Sequence, residues 1–314
     1  MSRVEIIGTP FWAHYLSDNV LDQTFEISVT SSFRQLPGSI FRIFGSDHII
    51  LLGHGIPNTL KRCVWFFFFL AVWCLGPKRP KFVIYWIGSE VARESSRWQG
   101  AIYRWFINMP RVTSICGAPW FAETLRHKGI STDVVLFPYD VDKAKGFASI
   151  WLPEDHMIVS TYLTASHWEN SNGDWISEIC RKYPDVHWRI FGMSPDTALG
   201  GLETLANVEL CGWVSNPQDI VSTTHLFIRM VNTDAYAGTV RDAQSMQRIV
   251  MYSKPVSDCI EIDSRNFSGF EEAFINIKTL FDQADAAAIQ EIRSTGCHVP
   301  DLSISRDIFS DILR

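Results

Sequence analysis

Residues 225–256 have the sequence His-Leu-Phe-Ile-Arg-Met-Val-Asn-Thr-Asp-Ala-Tyr-Ala-Gly-Thr-Val-Arg-Asp-Ala-Gln-Ser-Met-Gln-Arg-Ile-Val-Met-Tyr-Ser-Lys-Pro-Val. The first six residues form an apolar run typical of a buried strand, and a polar loop with Gly238 follows. A helix is predicted from about Thr239, and a second strand after it. A strand, a helix and another strand in this order form the unit of a parallel sheet, so this stretch predicts an α/β fold.

Similar apolar runs recur along the chain, separated by stretches of helix length. Continuous runs with little alternation indicate strands covered on both faces, as in parallel sheets. The polar stretch between Phe137 and Met157 divides the runs into two sets. The pattern predicts two Rossmann-like domains, residues 1–150 and 151–314, with the last helix either in the second domain or packed back on the first. The predicted strands lie at 4–7, 25–29, 48–52, 82–86, 112–116, 134–137, 157–161, 188–191, 208–210, 225–230 and 249–251.

Glycine follows several of these predicted strands. A residue without a side chain at the carboxyl end of a parallel strand lets backbone approach a ligand, and open α/β sheets bind ligands at that edge. Turn glycines are also common in any α/β protein, so one such residue is uninformative, but six in both halves favour two Rossmann-like domains with facing strand ends. The glycines are Gly8, Gly53, Gly88, Gly117, Gly192 and Gly212.

Composition narrows the function classes. The 314 residues are 46% hydrophobic and 20% charged, which excludes a disordered tail protein, a coiled coil and a collagen-like fibre. A net charge of −6 argues against a general nucleic-acid binder. Seven dispersed cysteines without CxxC spacing argue against a zinc or redox pair, and the amino terminus does not resemble a signal peptide. We therefore expect a reduced, cytoplasmic chain without a metal site.

Residues 61–111 combine an apolar segment with positive charge. They contain nine Lys or Arg residues against Glu90 and Glu94, a local net charge of +7. Within them, Cys63–Leu75 is apolar, but thirteen residues of helix span only about 20 Å, less than a bilayer core of about 30 Å. The segment is either a buried core helix or a peripheral contact with an anionic membrane surface through residues 61–81.

Two carboxylates of the opening stretch, Asp234 and Asp242, are candidates for ligand binding. Asp234 is predicted in the loop and Asp242 in the first turn of the helix, where amides of the loop and helix N-terminus attract phosphate. A carboxylate in that turn could accept the vicinal hydroxyls of a ribose. Equally, Asp242 could complement the helix dipole and Asp234 could form a turn.

The same residues resemble the signature of retaining glycosyltransferase family 4 and its GT-B relatives. In that signature, two acidic residues eight positions apart flank a Gly-containing loop, and the helix is followed by Gly/Lys-Pro-Val. Asp234, Asp242-Ala243 and Ser253–Val256 match it, and Trp86–Val91 is similar to a subgroup's Trp-x-Gly-Thr-Asp-Val. Two features differ: both acids are Asp instead of Glu, and residues 161–169 lack the Arg and Lys that usually hold the donor diphosphate.

The resemblance implies a division of roles. Asp234 would hold the donor sugar's hydroxyls, Arg229 the diphosphate charge and Asp242 the ribose. His54, between Gly53 and Gly55, is poorly explained as core filling and is a candidate sugar or acceptor contact. The candidate residues are Asp234, His54 and Arg229 in catalysis, Gly8, Thr9, His167, Gly192, Gly238, Thr239 and Asp242 in donor binding, and Trp86, Ser89 and Glu90 in acceptor binding.

By resemblance, the chain is expected to be a GT-B enzyme with two Rossmann-like domains facing across a cleft. It would be a metal-independent, hexosyltransferase-like enzyme with no cofactor besides its nucleotide-diphospho-sugar donor. The acceptor would be a hydroxyl of a glycan or lipid-linked molecule in surface polysaccharide synthesis, with retention of configuration. The enzyme would be cytoplasmic, either free or peripheral on the inner face of the membrane. Two alternatives stay open: a catalytically silent GT-B module that binds a glycan or membrane, and a GT-B-like nucleotide-sugar epimerase.

Overall fold

The structure is a computed structural model. It describes residues 2–21, 25–31, 35–53, 60–75, 78–88, 90–92, 97–140, 144, 156–283, 286–293 and 302–313. The chain divides into two compact units: Met1–Tyr139 with Asp234–Tyr236 and Pro300–Arg314, and Asp140–Thr233 with Ala237–Val299. The predicted boundary at 150/151 lies outside the described residues.

The first unit is built on a sheet whose paired strands are all parallel: β1 (Ser2–Gly8), β2 (Phe25–Thr30), β3 (His48–Leu52), β4 (Lys81–Trp86), β5 (Val112–Cys116) and β6 (Asp133–Val134). The strand order across the sheet is β2-β1-β3-β4-β5-β6. All five residues of β3 are buried, because helices cover both faces of the sheet.

Helices of the first unit are α1 (Pro10–Asn19), α2 (Leu36–Gly45), α3 (Leu60–Leu75), α4 (Arg97–Ile107), α5 (Pro119–His127) and a helix near the carboxyl end, Leu302–Leu313. Side chains of α2 to α5 form one core with Ile49, Phe82 and Ile84. Side chains of α1 and of Leu302–Leu313 form a second core with Val4, Ile6 and Tyr85. Helices therefore cover the sheet on both faces.

The second unit repeats this plan with β7 (Ile158–Tyr162), β8 (His187–Phe191), β9 (Val208–Gly212), β10 (Leu226–Arg229), β11 (Ile249–Tyr252) and β12 (Ile260–Glu261). All pairs are again parallel, in the order β12-β11-β10-β7-β8-β9. The helices are α6 (Gly173–Lys182), α7 (Pro217–Val221), α8 (Gly238–Ser245), α9 (Phe267–Asp282) and α10 (Ala286–Ile292), and Leu302–Leu313 of the first unit is α11.

The α/β prediction is confirmed, and every predicted strand corresponds to an observed one. Differences are confined to short elements: β6 ends at Val134 instead of continuing to Phe137, and the two-residue strand β12 has no predicted counterpart. Two paired residues are too few to leave an apolar run in the sequence.

Candidate functional site

Tyr162 lies at the carboxyl end of β7 and contacts two predicted site residues, the catalytic candidate Arg229 and the donor-binding candidate Gly192. The Arg229 guanidinium lies 5.2 Å from the centre of the Tyr162 ring and donates through Nη1 to the Tyr162 carbonyl at 3.2 Å. A Cβ added at Gly192 would lie 2.6 Å from Tyr162 Cε2. The φ of Gly192, +93°, also favours glycine. Packing thus brings Arg229 and Gly192 together around a tyrosine that the sequence analysis did not single out.

Asn170 joins the loop after β7 to the loop after β10. Its Nδ2 donates to the Thr233 carbonyl at 3.2 Å, and its Oδ1 accepts from the Thr233 amide at 3.1 Å. The Asn232 amide donates to the Asn170 carbonyl at 2.7 Å. These bonds fix the backbone that leads from Arg229 toward Asp234. The polar run Glu169–Gly173 signals a turn in the sequence, but not this partnership.

Gly238 and Thr239 are the first two residues of α8, both half-buried. The residue before them, Ala237, has no side-chain oxygen with which to cap the helix. The first amides of an α-helix carry a partial positive charge and suit an anionic ligand. This end of α8 therefore has the electrostatics predicted for a phosphate contact.

Asp242 differs from its predicted setting. It is the fifth residue of α8, beyond the first turn, and is 0% exposed, so it is not the dipole partner at the helix end. Its Oδ2 accepts a hydrogen bond from Gln218 Nε2 of α7 at 3.1 Å. A ribose would therefore have to reach a fully buried carboxylate that Gln218 already contacts. The sequence contains no local signal for Gln218, which is 24 residues away.

Ser253 and Lys254 link the end of β11 to the loop after β10. The Val231 amide donates to Ser253 Oγ at 2.8 Å, and Ser253 Oγ donates to the Val231 carbonyl at 2.7 Å. Lys254 Nζ donates to the Asn232 carbonyl at 2.8 Å. Since β10 and β11 are neighbours in register, Lys254 provides a second cation on the strand edge that carries Arg229.

Asp234 belongs to the first unit, although the chain on both sides of Asp234–Tyr236 belongs to the second. Its carbonyl accepts a hydrogen bond from Trp120 Nε1 at 2.7 Å. The next residue, Ala235, is buried in the core of the first unit. A Cβ added at Gly117 would lie 3.5 Å from the Cβ of Ala235. The backbone of Asp234 is thus held by α5 and by the end of β5.

Gly8 and Thr9 lie at the carboxyl end of β1. A Cβ at Gly8 would lie 2.7 Å from both Cβ and O of Leu52, so the close approach of β1 to β3 requires a glycine there. Thr9 is exposed and precedes α1, and its carbonyl accepts from the Ala13 amide. Gly53 and Gly117 follow β3 and β5 of the same sheet, as predicted.

Trp86 and Glu90 differ from the acceptor-groove prediction. The Trp86 side chain is fully buried, packs on Tyr103 and donates through Nε1 to Ser114 Oγ at 3.0 Å. A side chain without exposed surface cannot line a groove. Glu90 is also buried, and its Oε1 accepts from the amides of Ile87 and Gly88 at 2.6 and 2.8 Å. Its carboxylate stabilises the turn after β4.

Two predicted residues, His54 and Ser89, lie outside the described residues. His167 is exposed at the end of a short 3-10 helix, Ala165–His167, in the loop after β7. Across the part of the chain that the structure describes, no group of three or more His, Cys, Asp or Glu side chains is arranged to hold a metal ion.

No model of a protein family matches the sequence, and no curated protein matches it. Solved structures do match the fold over the entire chain. Anabaena HepE in complex with UDP and glucose is 11% identical, with a TM-score of 0.66 over 100% of this chain and 99% of HepE. Sucrose-phosphate synthase from Thermosynechococcus elongatus is 10% identical, with a TM-score of 0.63 over 100% of this chain and 95% of the synthase. A glycosyltransferase from Rickettsia africae is 9% identical, with a TM-score of 0.63 over 100% and 99%. The two parallel sheets with their covering helices therefore have the α/β fold of GT-B glycosyltransferases.

Proposed function

We propose that this chain is a glycosyltransferase that moves a sugar from a nucleotide-diphospho-sugar to a hydroxyl of a glycan or lipid-linked acceptor. The observation that carries the proposal is the composition of one strand edge in the second unit. Arg229 and Lys254 bring positive charge to it, and the uncapped start of α8 follows one of its strands. Open α/β sheets bind ligands at this edge, and a diphosphate suits these charges.

Under this proposal, residues at that edge and in the loop after β10 have the following roles. Arg229 and Lys254 neutralise the diphosphate, while the amides of Gly238 and Thr239 bind its oxygens. Gly192 lets the end of β8 pack closely against Tyr162, which holds the backbone of this edge in place. Asp242 binds the ribose in place of Gln218, and Asp234 binds hydroxyls of the transferred sugar.

The chemical step under this proposal is electrostatic. The departing nucleoside diphosphate gains negative charge as the glycosidic bond to phosphate breaks, and fixed donors must meet that charge as it develops. Arg229 is suited to this role because its guanidinium is already held by the Tyr162 carbonyl and ring. We propose further that the reaction needs no metal ion or additional cofactor and proceeds with retention, as in the family that the signature resembles.

Nucleotide binding is the first test. Thermal unfolding would be followed with UDP, GDP, ADP and CMP at millimolar concentration. UDP is the first choice because the HepE structure contains UDP. One nucleoside diphosphate at about 100 times its Kd should stabilise the protein by about 2.7 kcal/mol. No stabilisation by any nucleotide would overturn the donor site.

Donor turnover separates the enzyme from the two alternatives. Each sugar conjugate of the stabilising nucleotide is incubated with the protein, and release of the nucleoside diphosphate is measured with and without EDTA. Release unaffected by EDTA supports a metal-independent transferase, and the anomeric proton of the product reports retention. Nucleotide binding without release would favour a silent module, which the lack of cations in residues 161–169 also fits. Conversion to another nucleotide sugar without release would identify an epimerase.

We place the proposed transferase in surface polysaccharide synthesis on the cytoplasmic side of a membrane. A lipid-linked acceptor is insoluble in water and is elongated at a bilayer surface. None of the helices within the described residues is long and apolar enough to cross a bilayer. Transfer to extracted lipid-linked acceptors, compared with soluble oligosaccharides, tests this assignment.

A further inference from the structure

The first unit exposes large apolar side chains on three consecutive helices. Phe41 on α2 is 88% exposed, Phe67 and Leu75 on α3 are 53% and 76% exposed, and Trp105 on α4 is 56% exposed. With Val64 they make up half of the large hydrophobic side chains that are exposed in the described part of the chain. We call these five side chains the α2–α4 surface. Isolated exposed apolar residues are ordinary, but a cluster on neighbouring helices marks an interaction site.

Helix α3 is apolar on both faces. Phe66, Phe69 and Val72 are buried against the sheet. Val64, Phe67, Ala71 and Leu75 recur at intervals of three and four residues, which places them along the opposite face. A surface helix of a globular protein normally carries polar residues on its outer face. The second apolar face of α3 is therefore not explained by the core of the first unit.

Ring contacts connect α3 to the helices on either side. Phe44 of α2 meets Phe68 with their ring centres 6.1 Å apart, and Phe41 lies one helical turn before Phe44. Phe66 meets Phe106 of α4 with their ring centres 5.3 Å apart, and Trp105 is the adjacent, exposed residue. The exposed side chains thus lie on helices that pack side by side.

Cations gather at the carboxyl end of α3. Lys78 and Arg79 follow the helix, and Lys81 begins β4. The Arg111 carbonyl accepts the amide of Phe82, which brings this exposed arginine close to Lys81. Lys81 and Arg111 both help to lower the pKa of the nearby His48, after burial as the main cause.

We propose that the α2–α4 surface docks on an anionic lipid bilayer, with its apolar side chains at the headgroup boundary and the flanking cations on lipid phosphates. The combination of an apolar stripe and a basic end is the chemistry of interfacial helices. Sixteen residues of helix span about 24 Å, so α3 would lie in the interface instead of crossing it.

Charge distinguishes this occupant from a second copy of the chain. A symmetric dimer through the same surface would bring two sets of basic flanks into one interface, where like charges repel. An anionic bilayer complements the same charges. The α2–α4 surface belongs to the first unit, whereas Arg229 and Lys254 belong to the second. The lipid proposal therefore does not depend on the proposed transferase activity.

Co-sedimentation with vesicles tests the proposal without donor or acceptor. The purified full chain is mixed with vesicles of 30% phosphatidylglycerol in phosphatidylcholine, or of phosphatidylcholine alone, at 50 and 500 mM NaCl. We expect at least tenfold tighter binding to the anionic vesicles at low salt, and loss of that difference at 500 mM NaCl because screening shortens to a few ångströms. The proposal is overturned if the protein does not bind vesicles, or if its affinity does not depend on lipid charge and salt concentration.

Matched variants locate the contact. Phe67→Ser with Leu75→Ser, and separately Arg79→Gln with Arg111→Gln, should each weaken vesicle binding at least tenfold without changing the thermal unfolding midpoint. The control is Ile275→Ser, an exposed apolar residue of α9 in the second unit, which should bind as the parent does. Equal binding by all variants places the contact elsewhere and overturns the proposal.

A fluorophore on Cys74, which is exposed on α3, gives a second reading. Its emission should shift to shorter wavelength with anionic vesicles, and Cys74→Ser should remove that component. Sedimentation velocity of the free protein tests the competing occupant. A dimer that Phe67→Ser with Leu75→Ser dissociates, together with absent vesicle binding, would assign the surface to a second copy and overturn the lipid proposal.

Discussion

At the scale of single residues, substitution of Asp242 is the sharpest test of the donor site, because this carboxylate contacts Gln218 in the structure and is proposed to bind the ribose of the donor. Asn has nearly the same shape as Asp and retains an acceptor for Gln218, so Asp242→Asn should leave the fold intact. It removes the charge that binds two ribose hydroxyls, and we expect nucleoside-diphosphate affinity to fall at least tenfold by calorimetry. Gln218→Ala is the matched control, because it removes the competing donor and should not weaken binding. Unchanged affinity in Asp242→Asn would make the ribose assignment wrong.

Asp234 is expected to act on turnover more than on binding. Asp234→Asn leaves the backbone carbonyl that accepts from Trp120 in place, so the loop should keep its position. If the side chain binds the transferred sugar, kcat for donor turnover should fall far more than affinity for the free nucleoside diphosphate. Steady-state kinetics and calorimetry on the same preparation measure the two quantities. Similar losses in both would point to a displaced loop instead of a lost sugar contact.

His48 makes stability depend on pH. Burial, and then the charge of Lys81, hold the pKa of His48 below its ordinary value, although Asp47 opposes the shift. As pH falls past about 6.5, the unfolded chain takes up this proton before the folded chain does. The free energy of unfolding should therefore decrease from pH 7.5 to 5.5, and less steeply in His48→Gln. Urea unfolding at each pH measures this difference, and parallel curves for the two proteins would exclude His48 as a cause.

At the scale of elements, substitutions of two adjacent phenylalanines of α3 should have very different effects on the free energy of unfolding. Phe66 is buried against Tyr103 and Phe106, so Phe66→Ala leaves a cavity and should lower the free energy of unfolding by about 3–5 kcal/mol. Phe67 faces outward, and Phe67→Ala should change that free energy by no more than about 0.5 kcal/mol. Chemical denaturation of both variants checks the orientation of the helix. Equal losses would show that both faces are covered within the protein.

The strands could be predicted from sequence because both faces of each sheet are covered, which leaves continuous runs such as His48–Leu52. The glycines at strand ends could also be predicted, since close approach of backbone excludes a side chain. The hydrogen bond to Asp242 could not be predicted, because its donor, Gln218, lies on another helix 24 residues away. The carboxylate of Glu90 likewise bonds to amides two and three residues before it, and no periodic pattern distinguishes that use from ligand binding.

At the scale of the whole molecule, the first unit is discontinuous along the chain. Phe309 and Leu313 of α11 are buried in a core with Leu16, Tyr85 and Phe137. A chain that ends at residue 299 lacks both side chains and should lose the cooperative unfolding transition of the first unit. Phe309→Ala should lower that transition's free energy by about 3–5 kcal/mol, whereas the exposed neighbour Ile308→Ala should change it little. A truncated protein that unfolds like the full chain would contradict the role of α11.

The late position of α11 has a consequence for synthesis on the ribosome. Residues 1–139 leave the ribosome first, yet the face of their sheet that α1 and α11 cover together lacks the contribution of α11 until that helix is made. At about 5–20 residues per second, the interval between Tyr139 and Phe309 is roughly 10 to 30 s. During that time Tyr85 of β4 lacks its contact with Phe309, and nascent-chain chaperones have their longest opportunity to bind. The second unit is continuous along the chain apart from Asp234–Tyr236. We expect it to complete its core before α11 joins the first unit.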